Sequence, residues 1–208
     1  RSYNSQIGVP LSVWLMSDDT KVGIFEAGIS KPGEMLALRD IIQPTIAVLT
    51  NLGSAHQENF PSMEAKCKEK LILFHDARSI VYNADDAIVA RLVDASGYKG
   101  EKLCWSRKDA GAKMFVKKVV KSETTTTVDY IYNNVEGSYT IPFIDDAGIE
   151  DSIVTAIVAL RLGVKLEELK ARMAQLEPVA MRLEVKEGQH GCTLINDSYN
   201  SDINSLDI

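Results

Sequence analysis

Cysteine is scarce in this chain. The three thiols, Cys67, Cys104 and Cys192, are far apart, odd in number and not in metal-ligand spacing. That excludes a disulfide framework and a cysteine-based zinc module, and reads as buried or inert thiols of a reducing compartment. Long apolar runs are also missing: none approaches the roughly 20 residues of a membrane span. Nor is there an excess of positive charge. Lys and Arg number 23 against 29 Asp and Glu, a net charge of −6, which excludes the basic footprint of a nucleic-acid binder. Anionic ligands remain possible, because a phosphate site needs only local potential and backbone N–H groups. The opening Arg1-Ser-Tyr-Asn lacks the pattern of a secretory signal. Internal repeats, low-complexity tracts and disordered linkers are absent. A soluble, cytoplasmic protein with no nucleic-acid partner and no membrane span is expected.

What is present is a core-former. With 45% hydrophobic and 25% charged residues over 208 positions, the chain can bury one large or two small cores. The first hundred residues alternate strand and helix signals. Val22–Glu26 is a short apolar run ending in a carboxylate and a Gly/Pro-punctuated loop, which reads as a strand. A helix follows over 32–42 and stops at Pro44; a strand over 45–50; a helix over 62–76 opening on Ser62 with an imperfect capping box, Ala65-Lys66 standing in place of Glu; a strand over 79–82; and a helix from 83 through 92. Strands separated by helices mean right-handed crossovers and a parallel sheet. Residues 102–143 change character: 114–120, 125–132 and 138–143 are β-branched and aromatic, with turns at Lys121-Ser-Glu and Asn133–Gly137. They predict an antiparallel meander in a small sheet beside the main one. Helices return over 149–162 and 166–176, with Gly163 as the residue past the first helix end. A hairpin is expected over 182–186 and 192–195. The fold class is therefore α/β, a mainly parallel sheet flanked by helices with a small antiparallel subsheet.

Two of the strands end in chemistry-bearing residues. Glu26 closes one, and Thr50-Asn51-Leu-Gly-Ser-Ala-His56 follows the other. A carboxylate and an imidazole delivered to the carboxyl edge of an open sheet could form a divalent metal site. They could equally be a loop-capping acid and a solvated histidine, and spacing alone does not decide. On the helix that follows, Met63, Cys67, Leu71 and Phe74 form one stripe at roughly 100° per residue, with Lys70 beside it and Lys66 and Lys68 turned further toward solvent. Read without a family, Lys70 is a lysine snorkelling from the stripe's edge.

The segment Asn51-x4-His56, with Lys70-Leu-Ile-Leu-Phe74 downstream, resembles the central domain of the Mur ligases, ATP-dependent amide-forming enzymes of peptidoglycan synthesis. Ser5-Gln-Ile-Gly-Val-Pro10-Leu, Glu26-Ala-Gly-Ile-Ser-Lys-Pro-Gly-Glu34 and Asn196-Asp-Ser-Tyr-Asn200 point to the branch that adds D-alanyl-D-alanine to UDP-N-acetylmuramoyl-tripeptide. The resemblance covers nearly the whole chain, least so in the meander. It implies Mg²⁺ as cofactor and ATP as substrate, with Glu26, His56 and a carbamylated Lys70 as metal ligands and catalytic groups. It implies ATP contacts at Asn51, Asp151, Arg182 and Asp197, and substrate contacts at Asn4, Tyr199 and Asn200. It also divides the chain into a central ATP-binding domain over 1–196 and the start of a C-terminal domain over 197–208.

Two departures from the family stand out. The stretch Ala147-Gly148-Ile-Glu-Asp151 has Gly and Asp where relatives have asparagines near the adenine, and an Asp accepts but cannot donate as an amide does. The Gly-x-x-Gly-Lys-Thr/Ser phosphate loop is absent. The expectation is a fragment of a larger ligase, inactive in isolation. The alternatives are another Mur or folylpolyglutamate-type ligase, or a non-catalytic binding module.

Overall fold

The computed structural model describes residues 3–177 and 184–196. Its centre is a six-stranded sheet of β1 (Ile46–Val48), β2 (Ser79–Asn83), β3 (Glu101–Ser106), β4 (Met114–Lys121), β5 (Thr126–Tyr132) and β6 (Val135–Ile141), hydrogen-bonded in that order. The pairs from β1 to β4 are parallel and the last two are antiparallel. Helices α1 (Gly8–Trp14) and α2 (Glu34–Ile42) precede the sheet, α3 (Met63–Leu71) and α4 (Ala87–Ala95) cross between its first three strands, and α5 (Asp146–Arg161) and α6 (Leu166–Met173) follow it. A separate antiparallel hairpin pairs β7 (Glu184–Glu187) with β8 (Thr193–Asn196). No described helix is long and apolar enough to cross a membrane.

Strand alternation sorts the side chains into two layers. Val81, Leu103 and Trp105 point to the face covered by α5, joining Ile149, Ile153 and Ile157. Ala47, Ile80 and Tyr82 point to the opposite face with Cys67, Val89 and Leu92 of α3 and α4. This period of two along buried strands is what a parallel sheet with helices on both faces demands. A third cluster joins Val9 of α1, Met35 and Leu38 of α2, Ile29 and Phe60. The helix caps are chemical: Ser62, Asp86 and Asp145 each accept a backbone N–H at the start of α3, α4 and α5. Gly163, with φ of +90°, ends α5 as expected.

Several sequence expectations are corrected. Val22–Glu26 is no strand: Val22 and Ile24 are exposed, and no described strand pairs with the segment, so its backbone lacks a ladder to join. The meander is no separate sheet. β4 pairs with β3 only at Trp105–Met114 and Ser106–Phe115, so it starts where β3 ends and carries the antiparallel strands onward from the same edge. β3 and α1 were not anticipated. β6 begins at Val135 rather than 138, because Asn133 and Asn134, with φ of 51° and 63°, close a two-residue hairpin of the mirror-image kind that fits strand twist. Helix α5 starts at Asp146, earlier than 149. Of the three cysteines, Cys67 is buried and Cys192 is exposed. Burial pushes the Cys67 thiol up to about 11, so this one is inert at neutral pH.

Candidate functional site

The parallel strands β1, β2 and β3 all end on one edge, and the loops that leave it carry the polar residues. From β1 comes the turn 49–56 with Asn51 and His56, both exposed. His56 has φ of +59°, a left-handed backbone uncommon outside glycine. It opens a short 3₁₀ turn over Gln57–Asn59. From β2 comes Asp85, which accepts from Ser106 Oγ at 2.5 Å and from the Arg107 backbone N–H at 2.8 Å. That bond ties the end of β2 to the end of β3. Sequence reading missed Asp85, Ser106 and Arg107. The signal that could have found them is Asn83-Ala-Asp-Asp86 directly after a buried strand.

Glu26 lies on the segment before α2. Its Oε1 accepts from Asn4 Nδ2 at 2.7 Å, and the Asn4 carbonyl accepts from the Gly28 N–H at 2.8 Å. Asn4 thus pins both sides of the acid. The fit is close, since a Cβ on Gly28 would stand 3.1 Å from Asn4 atoms. Further along, Glu34 folds back to accept from the Ser30 and Lys31 N–H groups at 2.6 and 3.1 Å. Glu69 of α3 reaches across to accept from the Gly33 and Met35 N–H groups at 2.8 and 3.0 Å. It caps α2 from another helix, so the segment after Glu26 is fastened to the turn of α3 that carries Lys70.

Lys70 is half-buried on α3. Burial lowers its pKa, an effect that Cys67 and Glu26 oppose. The stripe of Met63, Cys67, Leu71 and Phe74 faces inward, with Cys67 and Phe74 buried. Lys66, expected in solvent, is the surprise. It is 2% exposed, and its ammonium donates to the Gly53 carbonyl at 2.6 Å and to the Ala55 carbonyl. Helical spacing gave the wrong side because the 49–56 turn folds down over α3 and covers it. Burial lowers the Lys66 pKa, Lys70 lowers it further, and Glu58 opposes both.

The structure therefore joins Asn4 to Glu26 and, through Lys66, ties the turn before His56 to the helix that carries Lys70. No group of three His, Cys, Asp or Glu side chains among the described residues could hold a metal ion. Asp151 sits exposed on α5, apart from these groups in the chain, next to Glu150, whose carboxyl burial pushes up against the opposing pull of Arg107. Arg182, Asp197, Tyr199 and Asn200 lie outside the described residues.

A family model for the Mur ligase middle domain matches residues 1–159. The chain belongs to the Mur ligases. The UDP-N-acetylmuramoyl-tripeptide--D-alanyl-D-alanine ligase of Bacillus subtilis is 23% identical over 206 residues, 99% of this chain and 44% of that protein. A crystal structure of MurF from Acinetobacter baumannii superposes with a TM-score of 0.87 at 20% identity, over 100% of this chain and 45% of that one. The MurF ligase of Thermotoga maritima in complex with ADP gives 0.79 at 22% identity, over 96% and 46%. The chain thus spans a little under half the length of these Mur ligases, and the structural likeness speaks for the fold.

Proposed function

We propose that this chain is the ATP-handling part of a Mur ligase that adds D-alanyl-D-alanine to UDP-N-acetylmuramoyl-tripeptide, with 197–208 opening a further domain. The observation that carries the reading is a Glu26 carboxylate oriented by Asn4, on a segment that Glu69 fastens to the turn of α3 carrying the half-buried Lys70. ATP as substrate accords with a neighbour solved with ADP.

The residues fit Mg²⁺ only in one chemical form. As an ammonium, Lys70 offers no lone pair and repels a cation. Its burial favours the neutral amine, whose nitrogen can attack CO₂: the N–C bond forms, one C–O π bond opens to an anionic oxygen, and the nitrogen's proton leaves to solvent. The carbamate then supplies oxygen ligands of the kind a hard cation prefers. Glu26 and His56 would complete the donors, with Asn4 holding the carboxylate in orientation. When bound, the ion would neutralise polyphosphate charge. The reaction itself is acyl activation. A substrate carboxylate oxygen attacks the γ-phosphorus as the bond to ADP breaks. The incoming amine then attacks the acyl carbon, phosphate leaves, and the amine's proton is lost as the amide forms. For this chemistry Glu26, His56 and Lys70 are the metal-side groups. Asn51, Asp151, Arg182 and Asp197 are assigned to ATP, and Asn4, Tyr199 and Asn200 to the peptide substrates. Asn4 also has the orienting role described above.

The test is made on Lys70 in the full-length ligase. Lys70→Ala abolishes ligation, and acetate restores part of it where chloride does not. In ¹³CO₂-equilibrated wild-type enzyme a carbamate carbon signal appears that Lys70→Ala removes. Full activity in Lys70→Ala or Lys70→Arg would sink the ligand role.

A further inference from the structure

Lys66 has a role that the metal-side assignment leaves unfilled. It is a buried cation without a carboxylate partner at hydrogen-bond distance among the described residues, and two of its three donors end on backbone carbonyls of one turn, those of Gly53 and Ala55. Burying an ammonium is costly unless its donors are satisfied, so a surface lysine would not be held here for packing alone. The turn it grips is the one that needs gripping. Within the turn, the Ser54 carbonyl accepts from the Gln57 N–H at 3.0 Å and the His56 carbonyl from the Asn59 N–H at 3.2 Å. His56 meanwhile sits at a positive φ that an unrestrained chain would leave.

We propose that Lys66 is a positioning residue: its ammonium, rooted in α3, braces the 51–56 turn and so sets His56 at a fixed height above Lys70, one helical turn away on the same helix. The brace and the proposed ligand thus share one rigid element, and the distance between His56 and Lys70 is governed by α3 rather than by the loop. Glu69 performs the matching task for the Glu26 side, from the position next to Lys70. The inference rests on the reading of His56 as a metal-side group only for its functional consequence; the brace itself does not depend on it.

Two measurements separate these parts. In the chain as it stands, Lys66→Met keeps the stem and removes the donors. Amide exchange over 51–59 should then speed up by at least about tenfold, while β2 and β3 amides keep their wild-type rates. Unchanged exchange over 51–59, or an equal rise in β2 and β3, overturns the brace. Should Lys66→Met not fold, Lys66→Gln, which keeps a shorter neutral donor, is read by the same criterion. In the full-length ligase, Lys66→Met should raise the Mg²⁺ concentration for half-maximal rate several-fold, with the rate at saturating Mg²⁺ largely retained. A fall in saturating rate with an unchanged Mg²⁺ midpoint overturns the link to His56. A wild-type enzyme whose His56→Gln variant shows an unaltered Mg²⁺ midpoint points instead to failure of the metal-side reading, with the exchange result standing on its own.

Discussion

Single residues in this chain are decided by what folds over them rather than by their own character. Lys66 and Lys70 are one turn apart on α3, yet one is sealed beneath the 49–56 turn and the other stays half-buried. Glu101 shows the same dependence on neighbours. It starts β3, accepts from Arg161 of α5 at 2.6 Å and from Ser79 of β2 at 2.9 Å, and so ties the last turn of a helix to two strands. The Arg161 hydrogen bond, then Ser79 and the nearby charges, hold its carboxyl below the usual glutamate range against the opposing effect of burial. A depressed folded pKa contributes stability that is present above the unfolded value and is lost as pH falls through the folded one. Glu101→Gln should therefore lower the urea midpoint at pH 7, and the gap from wild type should close as pH drops below about 4.5. Both partners are more than a third exposed, so the gap should be modest. A gap that is unchanged down to pH 3 would remove the ionised carboxylate from the explanation.

At the level of elements, the sharpest packing constraint sits in the meander. Gly137 of β6 lies opposite Tyr130 of β5, and a Cβ there would stand 2.5 Å from the tyrosine ring. The ring is buried and packs on Tyr139 with centroids 5.8 Å apart. Gly137→Ala should thus cost about 1–3 kcal/mol through displacement of Tyr130, read as a lower denaturation midpoint with an unchanged m-value. The gain expected from stiffening an exposed glycine would be the opposite result. These elements also show what a sequence can tell. Buried strands and capped helices were legible because their signals are local: Ile80-Val81-Tyr82 is a short apolar, β-favouring run, and Ser62 and Gly163 mark helix ends by their own chemistry. Val22–Glu26 carries the same apolar signal but pairs with no described strand, and a run cannot announce its partner. β3 was missed because Lys102 and Glu101 interrupt its apolar pattern; they are tolerated where the strand meets Asp94, Arg161 and Lys113 at its start. Of the candidate site, residue types at strand ends were readable. The bonds that orient them were not, since Asn4 to Glu26 and Glu69 to Gly33 join positions 22 and 36 residues apart.

On the scale of the whole molecule, one sheet edge gathers the chemistry. Parallel pairing from β1 to β3 aims Asn51, His56, Asp85 and Arg107 the same way, which is where open α/β sheets place their ligands. The antiparallel β4–β6 unit begins at that edge and leads into α5, where the Arg107 charge acts on Glu150, next to Asp151. Among those groups Asp85, Glu150 and Asp151 are acids, against the cationic Arg107, and the chain carries a net charge of −6. A polyphosphate held against such an edge needs donors that cradle its β- and γ-oxygens, normally a lysine and a run of glycine N–H groups. The chain contains no Gly-x-x-Gly-Lys-Thr/Ser sequence, and its nearest turn, Leu52-Gly53-Ser54, has the Gly53 carbonyl engaged by Lys66. The expected behaviour follows. These 208 residues should fold as described and yet release phosphate from ATP, with Mg²⁺ present, no faster than a no-enzyme blank. Turnover at an ordinary enzymatic rate, on the order of 1 s⁻¹, would mean that the groups on this edge suffice to hold and activate the γ-phosphate without that cradle.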